Sequence, residues 1–251
     1  MYRFLSEVDV GQIKKSRMLA FPTDTVPALC ARPDDATALE QLFSLKQRPL
    51  QKSLMLMLPD LSWLSDYFEP TSDQWQIINR NSPGKITFIL PLKATVSLSP
   101  YLYQVSGDHQ YVGFRCPDHA VAQEILRVTG PLAQTSLNLS GEGPTQNSDD
   151  IAFKSALDFV FPFHNHTQSA STIVRLDQGK VEYVRHGAGE LILGVVRCLV
   201  QIRFVLVVGG CSIGPYYYAH SQSLSVGRLQ SSNKKCYLGI RYPDTEKQMR
   251  F

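Results

Sequence analysis

Residues 18–25 read Met-Leu-Ala-Phe-Pro-Thr-Asp-Thr, an apolar run that passes directly into a polar turn. Four consecutive apolar residues followed by Pro22 are typical of a buried β-strand. Thr23, Asp24 and Thr25 come next, at the point where that strand ends. Because open α/β sheets bind ligands at the ends of their strands, this stretch predicts a sheet and also the place of a binding site.

Short strand-like runs alternate with helical periodicity as far as residue 193, which predicts an α/β fold whose sheet is covered by helices. Further strands are predicted at Ser53–Leu58, Lys85–Leu90, Tyr111–Cys116, Ser171–Leu176 and Val181–Arg185. Helices are predicted at Asp35–Lys46, from a cap at Asp118 to Thr129 with a stop at Gly130, and near Asp149–Leu157. Asn138–Ser148 is predicted to be a polar loop.

The chain has 251 residues, of which 43% are hydrophobic and 10% aromatic. This is enough apolar material for a sizeable core, so a disordered chain and a disulfide-held mini-protein are excluded. The net charge of +3 is unevenly distributed, because residues 194–251 carry eight Lys or Arg residues against two acidic ones. We therefore predict a folded domain at 1–190 and an extension at 191–251 that is partly apolar and then poorly ordered.

Cysteine usage indicates a reducing compartment. The five cysteines are widely spaced and form no C-x-x-C pair, so neither a disulfide framework nor a zinc site is predicted. Residues 1–17 lack the apolar region of a signal peptide. Residues 191–213 are long and apolar, but Arg197 and Arg203 interrupt them and argue against a membrane span. These features predict a cytoplasmic protein.

Four groups of polar side chains lie where strands or helices are predicted to end: residues 23–25, the cations of residues 46–52, Arg115, and residues 136–140. Lys46, Arg48 and Lys52 suit the neutralisation of a polyphosphate. The hydroxyl and amide groups of residues 136–140 suit phosphate oxygens or a hydrated metal. Each group alone is also explained by a solvated helix end or a turn, so only the combination indicates a site.

Seven segments that contain these groups follow one another in a fixed order. They are Ala20-Phe-Pro-Thr-Asp-Thr-Val26, Leu45-Lys-Gln-Arg-Pro49 with Lys52-Ser-Leu54, Pro83-Gly-Lys-Ile-Thr87, Val112-Gly-Phe-Arg-Cys-Pro-Asp-His119, Thr135-Ser-Leu-Asn-Leu-Ser-Gly141, Ser171-Thr-Ile-Val174 and Arg185-His-Gly187. Together they resemble the YrdC-like family of threonylcarbamoyl-AMP synthases. Any one segment is a weak signal, whereas the ordered set is highly specific.

The resemblance implies a twisted, open mixed sheet flanked by helices, with a concave cationic cleft. It implies the synthesis of threonylcarbamoyl-AMP from ATP, L-threonine and bicarbonate with release of pyrophosphate, the first step of tRNA threonylcarbamoyladenosine modification. The expected cofactor is Mg²⁺ bound with ATP, and no metal site made by side chains is expected. Further expected partners are a downstream threonylcarbamoyl transferase and tRNA or double-stranded RNA.

The resemblance also assigns residues to the site by motif. Those expected to bind threonine are Thr25, Arg115, Ser136, Ser171 and Thr172. Those expected to face ATP are Lys46, Arg48, Lys52, Asn138, Ser140 and Arg185, of which Lys46 and Arg48 are the expected catalytic residues. No side-chain nucleophile is required, because the carbamate formed from threonine attacks ATP itself and the protein supplies positioning and charge neutralisation.

Three departures from the family pattern bear on the site. Pro27 and Ala28 stand where Tyr and Gly are usual, Leu137 stands where Ala is usual, and residues 163–170 replace a glycine-rich stretch. Proline fixes φ and alanine resists positive φ. The backbone at residues 27–28 is therefore expected either to differ from the family or never to have required glycine.

Other interpretations compete with this one. Residues 210–214 match the G-x-S-x-G nucleophile elbow of α/β-hydrolases, but His220 and Asp244 follow in the reverse order. His164 and His166 lack an evident third metal ligand, which favours a solvated loop. The main alternative function is a non-catalytic RNA-binding protein in tRNA or ribosome maturation, to which the basic extension would add RNA contacts.

Overall fold

Largely buried strands assemble into one mixed β-sheet that carries helices on both faces. The structure is a computed structural model that describes residues 3–49, 51–167, 169–177 and 179–193. Ten strands in this part of the chain form a single open sheet. The predicted α/β class, with helices flanking a twisted open sheet, is confirmed.

The described helices are α1 (Glu7–Lys15), α2 (Ala36–Lys46), α3 (Leu64–Tyr67), α4 (Ser72–Arg80) and α5 (Ala120–Thr129). The strands are β1 (Met18–Phe21), β2 (Ala28–Ala31), β3 (Met55–Met57), β4 (Ile86–Pro91), β5 (Tyr103–Ser106), β6 (His109–Arg115), β7 (Leu132–Ser136), β8 (Phe159–Val160), β9 (Thr172–Asp177) and β10 (Lys180–Arg185). Their order is β10-β9-β4-β6-β3-β7-β2-β1-β8, with β5 beside β6. The pairs β1/β8, β3/β6 and β4/β9 are parallel.

Alternation along the strands decides which side chains reach the site. Phe114 of β6 lies in the core that α2 and α4 share, so its neighbour Arg115 lies on the opposite face of the sheet. Ala133 of β7 belongs to the same core, which likewise places Ser136 on the opposite face. A second core covers that face at the end where α1 and α5 pack over β1 and β2.

Local signals fix the ends of α2 and α5. Asp35 caps α2 by accepting from the Ala38 N–H at 3.0 Å, which confirms the predicted start. Gln47 then takes a left-handed conformation with a φ of 50° and ends the helix. The predicted cap of α5 was wrong by one residue, since His119 rather than Asp118 occupies that position. The end of α5 at Thr129, before Gly130, is confirmed.

The predicted helix at residues 149–157 is wrong, because only a single 3-10 turn forms there, at Lys154–Ala156. Asn147 Oδ1 accepts from the Asp149 N–H at 2.7 Å, and Asp149 Oδ1 accepts from Lys154 Nζ at 2.8 Å. Short polar side chains thus bind the local backbone and one another in place of helical bonds.

Three helices, α1, α3 and α4, were not predicted, although the sequence carries start signals for two of them. Ser6 and Asp9 form a capping box at the start of α1, and Thr71 and Gln74 form another at the start of α4. In each box the two side chains accept from each other's backbone N–H, which satisfies two groups that a helix start leaves unpaired.

Residues 186–193 form a strip that packs against the domain beyond the predicted boundary at residue 190. The Asn81 side chain binds both backbone groups of Ile192, accepting from its N–H at 2.8 Å and donating to its carbonyl at 2.9 Å. Leu191 and Leu193 pack against the first core. Residues 194–251, with the sequence Gly-Cys-Ser-Ile-Gly at 210–214, lie outside the described residues, so the extension stays a prediction.

None of the helices in the described ranges is both long and apolar enough to cross a membrane.

Candidate active site

Lys46, the last residue of α2, is buried although its side chain is cationic. The residue is only 1% exposed. Its Nζ donates to the Ser136 carbonyl, to the Asn138 carbonyl at 2.6 Å and to Asn138 Oδ1 at 3.1 Å. Three neutral oxygens therefore surround the ammonium group and join the end of α2 to the segment after β7.

Residues 136–140 are held in one shape by hydrogen bonds within the segment and to α2. Ser136 Oγ donates to Asn138 Oδ1 at 2.7 Å, and Asn138 Nδ2 donates to the Glu142 carbonyl at 2.6 Å. The Ser140 N–H donates to the Lys46 carbonyl at 3.0 Å. The structure thus brings together Lys46, Ser136, Asn138 and Ser140, four of the predicted site residues.

Arg48 reaches the same place from the turn after α2. Its Nη1 donates to Thr135 Oγ1 at 3.1 Å, at the end of β7. Its Nε donates to the Lys52 carbonyl and its Nη2 to the Ser53 carbonyl, both at 2.8 Å. Lys52 therefore contributes a backbone oxygen that orients Arg48, while its own side chain is exposed.

Arg115 and Asp24 form a buried ion pair in which Arg115 Nη1 donates to Asp24 Oδ1 at 2.6 Å. Arg115 Nη2 also donates to Thr23 Oγ1 at 3.3 Å, and Thr23 Oγ1 lies 3.1 Å from Thr25 Oγ1. Arg115 Nε and Asp24 Oδ2 are buried, and neither has a partner in the described structure. We call Thr23, Asp24, Thr25 and Arg115 the ion-pair cluster. Asp24 was predicted only as part of a turn, and its role as the counter-ion of Arg115 was missed.

Arg185 and Ser171 meet where β10 passes the start of β9. Arg185 donates from Nε and Nη2 to the Ser171 carbonyl, at 3.2 and 2.7 Å. Ser171 Oγ lies 2.8 Å from the buried Thr87 Oγ1 of β4. Thr87 was not predicted as a site residue, although a polar residue within an otherwise apolar strand was the available signal.

Thr172 does not join this group, because successive residues of a strand point to opposite faces. Its hydroxyl donates to the Gly189 carbonyl at 2.6 Å and accepts from the Gly187 N–H at 2.9 Å. The structure therefore uses Thr172 to hold the strip at residues 186–193, and its contact with threonine stays a prediction.

Lys46, Arg48 and Arg185, which we call the cation cluster, influence one another electrostatically. Burial, with a smaller contribution from Arg48, lowers the pKa of Lys46 to about 7. Burial also lowers the pKa of Arg48 and that of Arg185, with Arg185 acting on the former and Arg115 on the latter. Among the described residues, the ion pairs include Arg115 and none of the cation cluster. Arg48 and Arg185 therefore keep a positive charge for an anionic ligand, whereas the lowered pKa of Lys46 reduces its charge near neutral pH.

The departures from the family pattern are accommodated without strain. Ala28 begins β2 in regular pairing with Ser136, and among described non-glycine residues only Gln47 has a positive φ, so this position does not require glycine. Leu137 is buried and its N–H donates to the Pro27 carbonyl at 2.8 Å. From the unusual stretch at residues 163–170, Thr167 Oγ1 donates to the Thr25 carbonyl. That stretch thus contacts the ion-pair cluster.

The larger of two described cavities lies elsewhere. It measures about 370 Å³ and is lined by residues that include Arg17, Gln41, Leu45 and Asp158. Its lining residue Arg17 forms an ion pair with Asp35, which lies outside the lining, and this pair is partly solvent-exposed. Convergence of buried charged groups therefore marks the candidate site better than cavity size does. A concave cleft over the site stays a prediction.

Comparison with known proteins shows to which family the chain belongs. A sequence model of the Sua5/YciO/YrdC family, described as "Telomere recombination", matches residues 11–187. The chain belongs to this family. The resemblance found in the seven motifs is thereby confirmed.

Several members of the Sua5/YciO/YrdC family can be compared directly. Threonylcarbamoyl-AMP synthases from two Histophilus somni strains, 2336 and 129Pt, are 30% identical over 154 residues, or 60% of this chain and 81% of theirs. E. coli YciO is 27% identical with a TM-score of 0.63, over 72% of this chain and 88% of YciO. P. abyssi Sua5, solved in complex with L-threonine, is 24% identical with a TM-score of 0.62. That match covers 72% of this chain and 53% of the Sua5 chain, so our protein spans about half of Sua5.

These similarities favour an enzyme of the transferase type over the RNA-binding alternative.

Proposed function

We propose that this protein synthesises threonylcarbamoyl-AMP from ATP, L-threonine and bicarbonate, with release of pyrophosphate. The observation that carries the proposal is the arrangement of buried charge. One buried cation, Arg115, is neutralised by a carboxylate, and the adjoining cation cluster is not. A neutralised cation beside hydroxyl groups suits a zwitterionic amino acid, whereas uncompensated cations suit a polyphosphate. The relatives named as threonylcarbamoyl-AMP synthases support the same pair of substrates.

Two steps account for the reaction. The lone pair of the threonine amine attacks the carbon of CO₂, and the new N–C bond with loss of a proton gives a carbamate. With bicarbonate a C–O bond of the bicarbonate breaks as well, and that oxygen leaves as water. A carbamate oxygen then attacks the α-phosphorus of ATP, and the bond to the β-phosphate oxygen breaks so that pyrophosphate leaves with the electron pair. Both nucleophiles come from substrates, so the protein contributes positioning and electrostatic stabilisation.

A covalent role for cysteine is disfavoured by burial. Cys30 and Cys116 are free and buried in the described structure. Burial raises the pKa of the Cys30 thiol well above its usual range and that of Cys116 to about 12. Because the thiolate is the nucleophilic form, these two residues are assigned to packing.

We assign the ion-pair cluster to L-threonine. Arg115 Nε is a buried N–H donor without a partner, and a ligand carboxylate would supply the missing acceptor. A buried donor left unsatisfied costs roughly 1–3 kcal/mol, so binding would recover that free energy. The hydroxyl groups of Thr25 and Ser136, and Ser171 beyond Arg185, complete the proposed threonine site. The complex of P. abyssi Sua5 with L-threonine supports this class of ligand.

We assign Arg48 and Arg185 of the cation cluster, with the adjoining Asn138 and Ser140, to ATP. Arg48 and Arg185 would neutralise the phosphates, and the exposed Lys52 would reach them from the rim. The described residues contain no group of three His, Cys, Asp or Glu side chains placed to bind a metal ion. Such a cationic surface does not fit a resident metal ion. We therefore propose that Mg²⁺ enters as part of the nucleotide substrate and keeps its water ligands.

A reconstituted assay tests this function. Purified protein with ATP, L-threonine and bicarbonate is expected to release pyrophosphate and to form an AMP-linked product with the mass of threonylcarbamoyl-AMP. Omission of either threonine or bicarbonate should abolish both signals. Pyrophosphate release that persists without threonine would overturn the proposal, and tight RNA binding without any release would revive the non-catalytic alternative.

The product is a reactive mixed anhydride, which suggests immediate use. We propose that a threonylcarbamoyl transferase consumes it for tRNA modification in the cytoplasm, with tRNA or double-stranded RNA as a further partner. The wide cysteine spacing supports that location.

A further inference from the structure

We propose that Lys46 is a positioning residue that holds residues 136–140 in their binding shape and does not itself contact ATP. The inference deepens the proposed function and rests on it for the identity of the two substrates. It changes the role expected for Lys46 from the family motif, which placed this lysine against the nucleotide together with Arg48.

Every N–H donor of the Lys46 ammonium group already has an acceptor within the protein. A lysine ammonium has three N–H groups, and all three have acceptors here: the carbonyls of Ser136 and Asn138 and the side-chain oxygen of Asn138. A phosphate contact would require one of these bonds to break. Arg48 differs, because a guanidinium has five N–H groups and only three of them are used for protein oxygens.

Lys46 is less accessible to solvent than the neighbouring cations. Lys46 is 1% exposed, whereas the Lys52 side chain six residues later is exposed to solvent. A nucleotide approaches from solvent, so it meets Arg48 and Lys52 before it meets Lys46. Arg115 is equally buried but keeps a free N–H for a ligand, whereas Lys46 has none. Burial also lowers the pKa of Lys46, which is unfavourable for a residue whose task is to carry charge to a phosphate.

Lys46 connects the end of α2 to the segment at residues 136–140. Its side chain binds residues 136 and 138, and its carbonyl accepts from the Ser140 N–H at 3.0 Å. One residue thus anchors the segment at three points. Ser136 belongs to the proposed threonine site and Asn138 and Ser140 to the proposed ATP site. Release of the segment would therefore weaken both substrates together.

The test compares two equal changes, Lys46→Met and Arg48→Met, in the full chain. Calorimetry measures the binding of ATP and of L-threonine, and hydrogen exchange measures the protection of amides 137–142. For Lys46→Met we expect the dissociation constants of both ligands to rise by about 10-fold, with faster exchange in this segment. For Arg48→Met we expect weaker ATP binding, with threonine binding and exchange near those of the wild type. A Lys46→Met protein that loses ATP affinity alone, with unchanged exchange, overturns the proposal.

A second measurement needs no variant and covers the case in which Lys46→Met fails to fold. The wild-type protein is treated with a lysine-acylating reagent, with and without ATP, and modified sites are identified by mass spectrometry. Lys46 should resist acylation in both conditions, whereas exposed Lys52 should react freely and be protected by ATP. Acylation of Lys46 in the free protein that ATP suppresses would show direct contact and would overturn the proposal.

Failure of the proposed function gives a different pattern. A wild type that binds both ligands but makes no adenylate contradicts the reaction and leaves the binding and exchange results valid. A wild type that binds neither ligand contradicts the substrate assignment, and hydrogen exchange alone then decides the role of Lys46.

Discussion

The ion-pair cluster and the cation cluster lie close enough for Arg115 to act electrostatically on Arg185, yet their buried charges are compensated differently. Arg115 is paired with Asp24 at 2.6 Å, so its charge is cancelled inside the protein. The cation cluster is held by carbonyl, hydroxyl and amide oxygens, which satisfy the N–H donors without cancelling their charge. Hydrogen bonding of the N–H donors and neutralisation of the charge are therefore separate requirements, and the two clusters meet them differently.

The consequence is selectivity by net charge. A neutralised cluster has no electrostatic preference for a polyanion and can accept a zwitterion. Arg48 and Arg185 have no carboxylate partner among the described ion pairs and instead favour several negative charges at once, as in the triphosphate of the proposed substrate ATP. Each of the following experiments removes or screens one side of this contrast.

The largest expected effect is on stability and comes from Asp24→Ala. Removal of one partner of a buried ion pair leaves the other charge uncompensated and costs about 3–5 kcal/mol. Urea denaturation would measure this loss. Asp149→Ala is the matched control, because its ion pair with Lys154 has the same kind of geometry on an exposed surface and should contribute little.

The double variant Asp24→Ala with Arg115→Met sharpens the same comparison. Removing both charges should restore part of the lost stability but not the affinity for threonine. Equal destabilisation by Asp24→Ala and Asp149→Ala would show that the pair is not buried in solution.

The next effect is on activity and comes from Arg48→Ala. Loss of a charge-assisted contact to the transferring phosphate should lower kcat/KM for ATP about 100-fold. The KM for threonine should change little, since the ion-pair cluster is untouched. Arg80→Ala, at the exposed end of α4, is the control for a lost arginine. Turnover at the wild-type level in Arg48→Ala would place the phosphates elsewhere.

A smaller effect is expected from salt. Screening at ionic strengths from roughly 0.05 to 0.5 M weakens partly exposed charge interactions and affects buried, neutralised pairs much less. The KM for ATP should therefore rise several-fold more than the KM for threonine. Steady-state pyrophosphate release in a sodium chloride series measures both values, and equal salt dependence for the two substrates would contradict the assignment of the clusters.

The smallest effect is a change of stability with pH that comes from Lys46. Its pKa is lowered from 10.5 to about 7, chiefly by burial. Between these values the unfolded chain keeps a proton that the folded protein has released, so this residue makes the free energy of unfolding rise with pH. The difference between the wild type and Lys46→Met should accordingly grow in favour of the wild type from about pH 7 to 9. Urea denaturation across that range measures it, and parallel curves would show that the pKa of Lys46 is unshifted.

Local signals sufficed to predict some elements, but other local signals were overlooked or misinterpreted. The helix α2 was predicted because its cap and its apolar spacing lie within the segment itself. The capping boxes of α1 and α4 were equally local and were overlooked. At residues 149–157 the error had a physical cause, since Asn147 and Asp149 bind the backbone and Lys154 in place of forming a helix.

The candidate site was likewise predicted in part. The motifs supplied Lys46, Arg48, Arg115 and Arg185, because the ordered set of segments resembles the family although each segment alone is a weak signal. The partner of Arg115 lies 91 residues away in the sequence, and the Thr87–Ser171 contact spans 84. No local pattern reports such distances, and strand order decides which of them close.

The sequence by itself determined the α/β class, the family motifs and the presence of cations suited to ATP. The tertiary structure alone decided what each cation does. It paired Arg115 with a carboxylate and enclosed Lys46 among three neutral oxygens. Arg48 and Arg185 have no carboxylate partner among the described ion pairs. The physical reason is that charge acts through distance and burial, which depend on how strands far apart in the chain come to lie side by side.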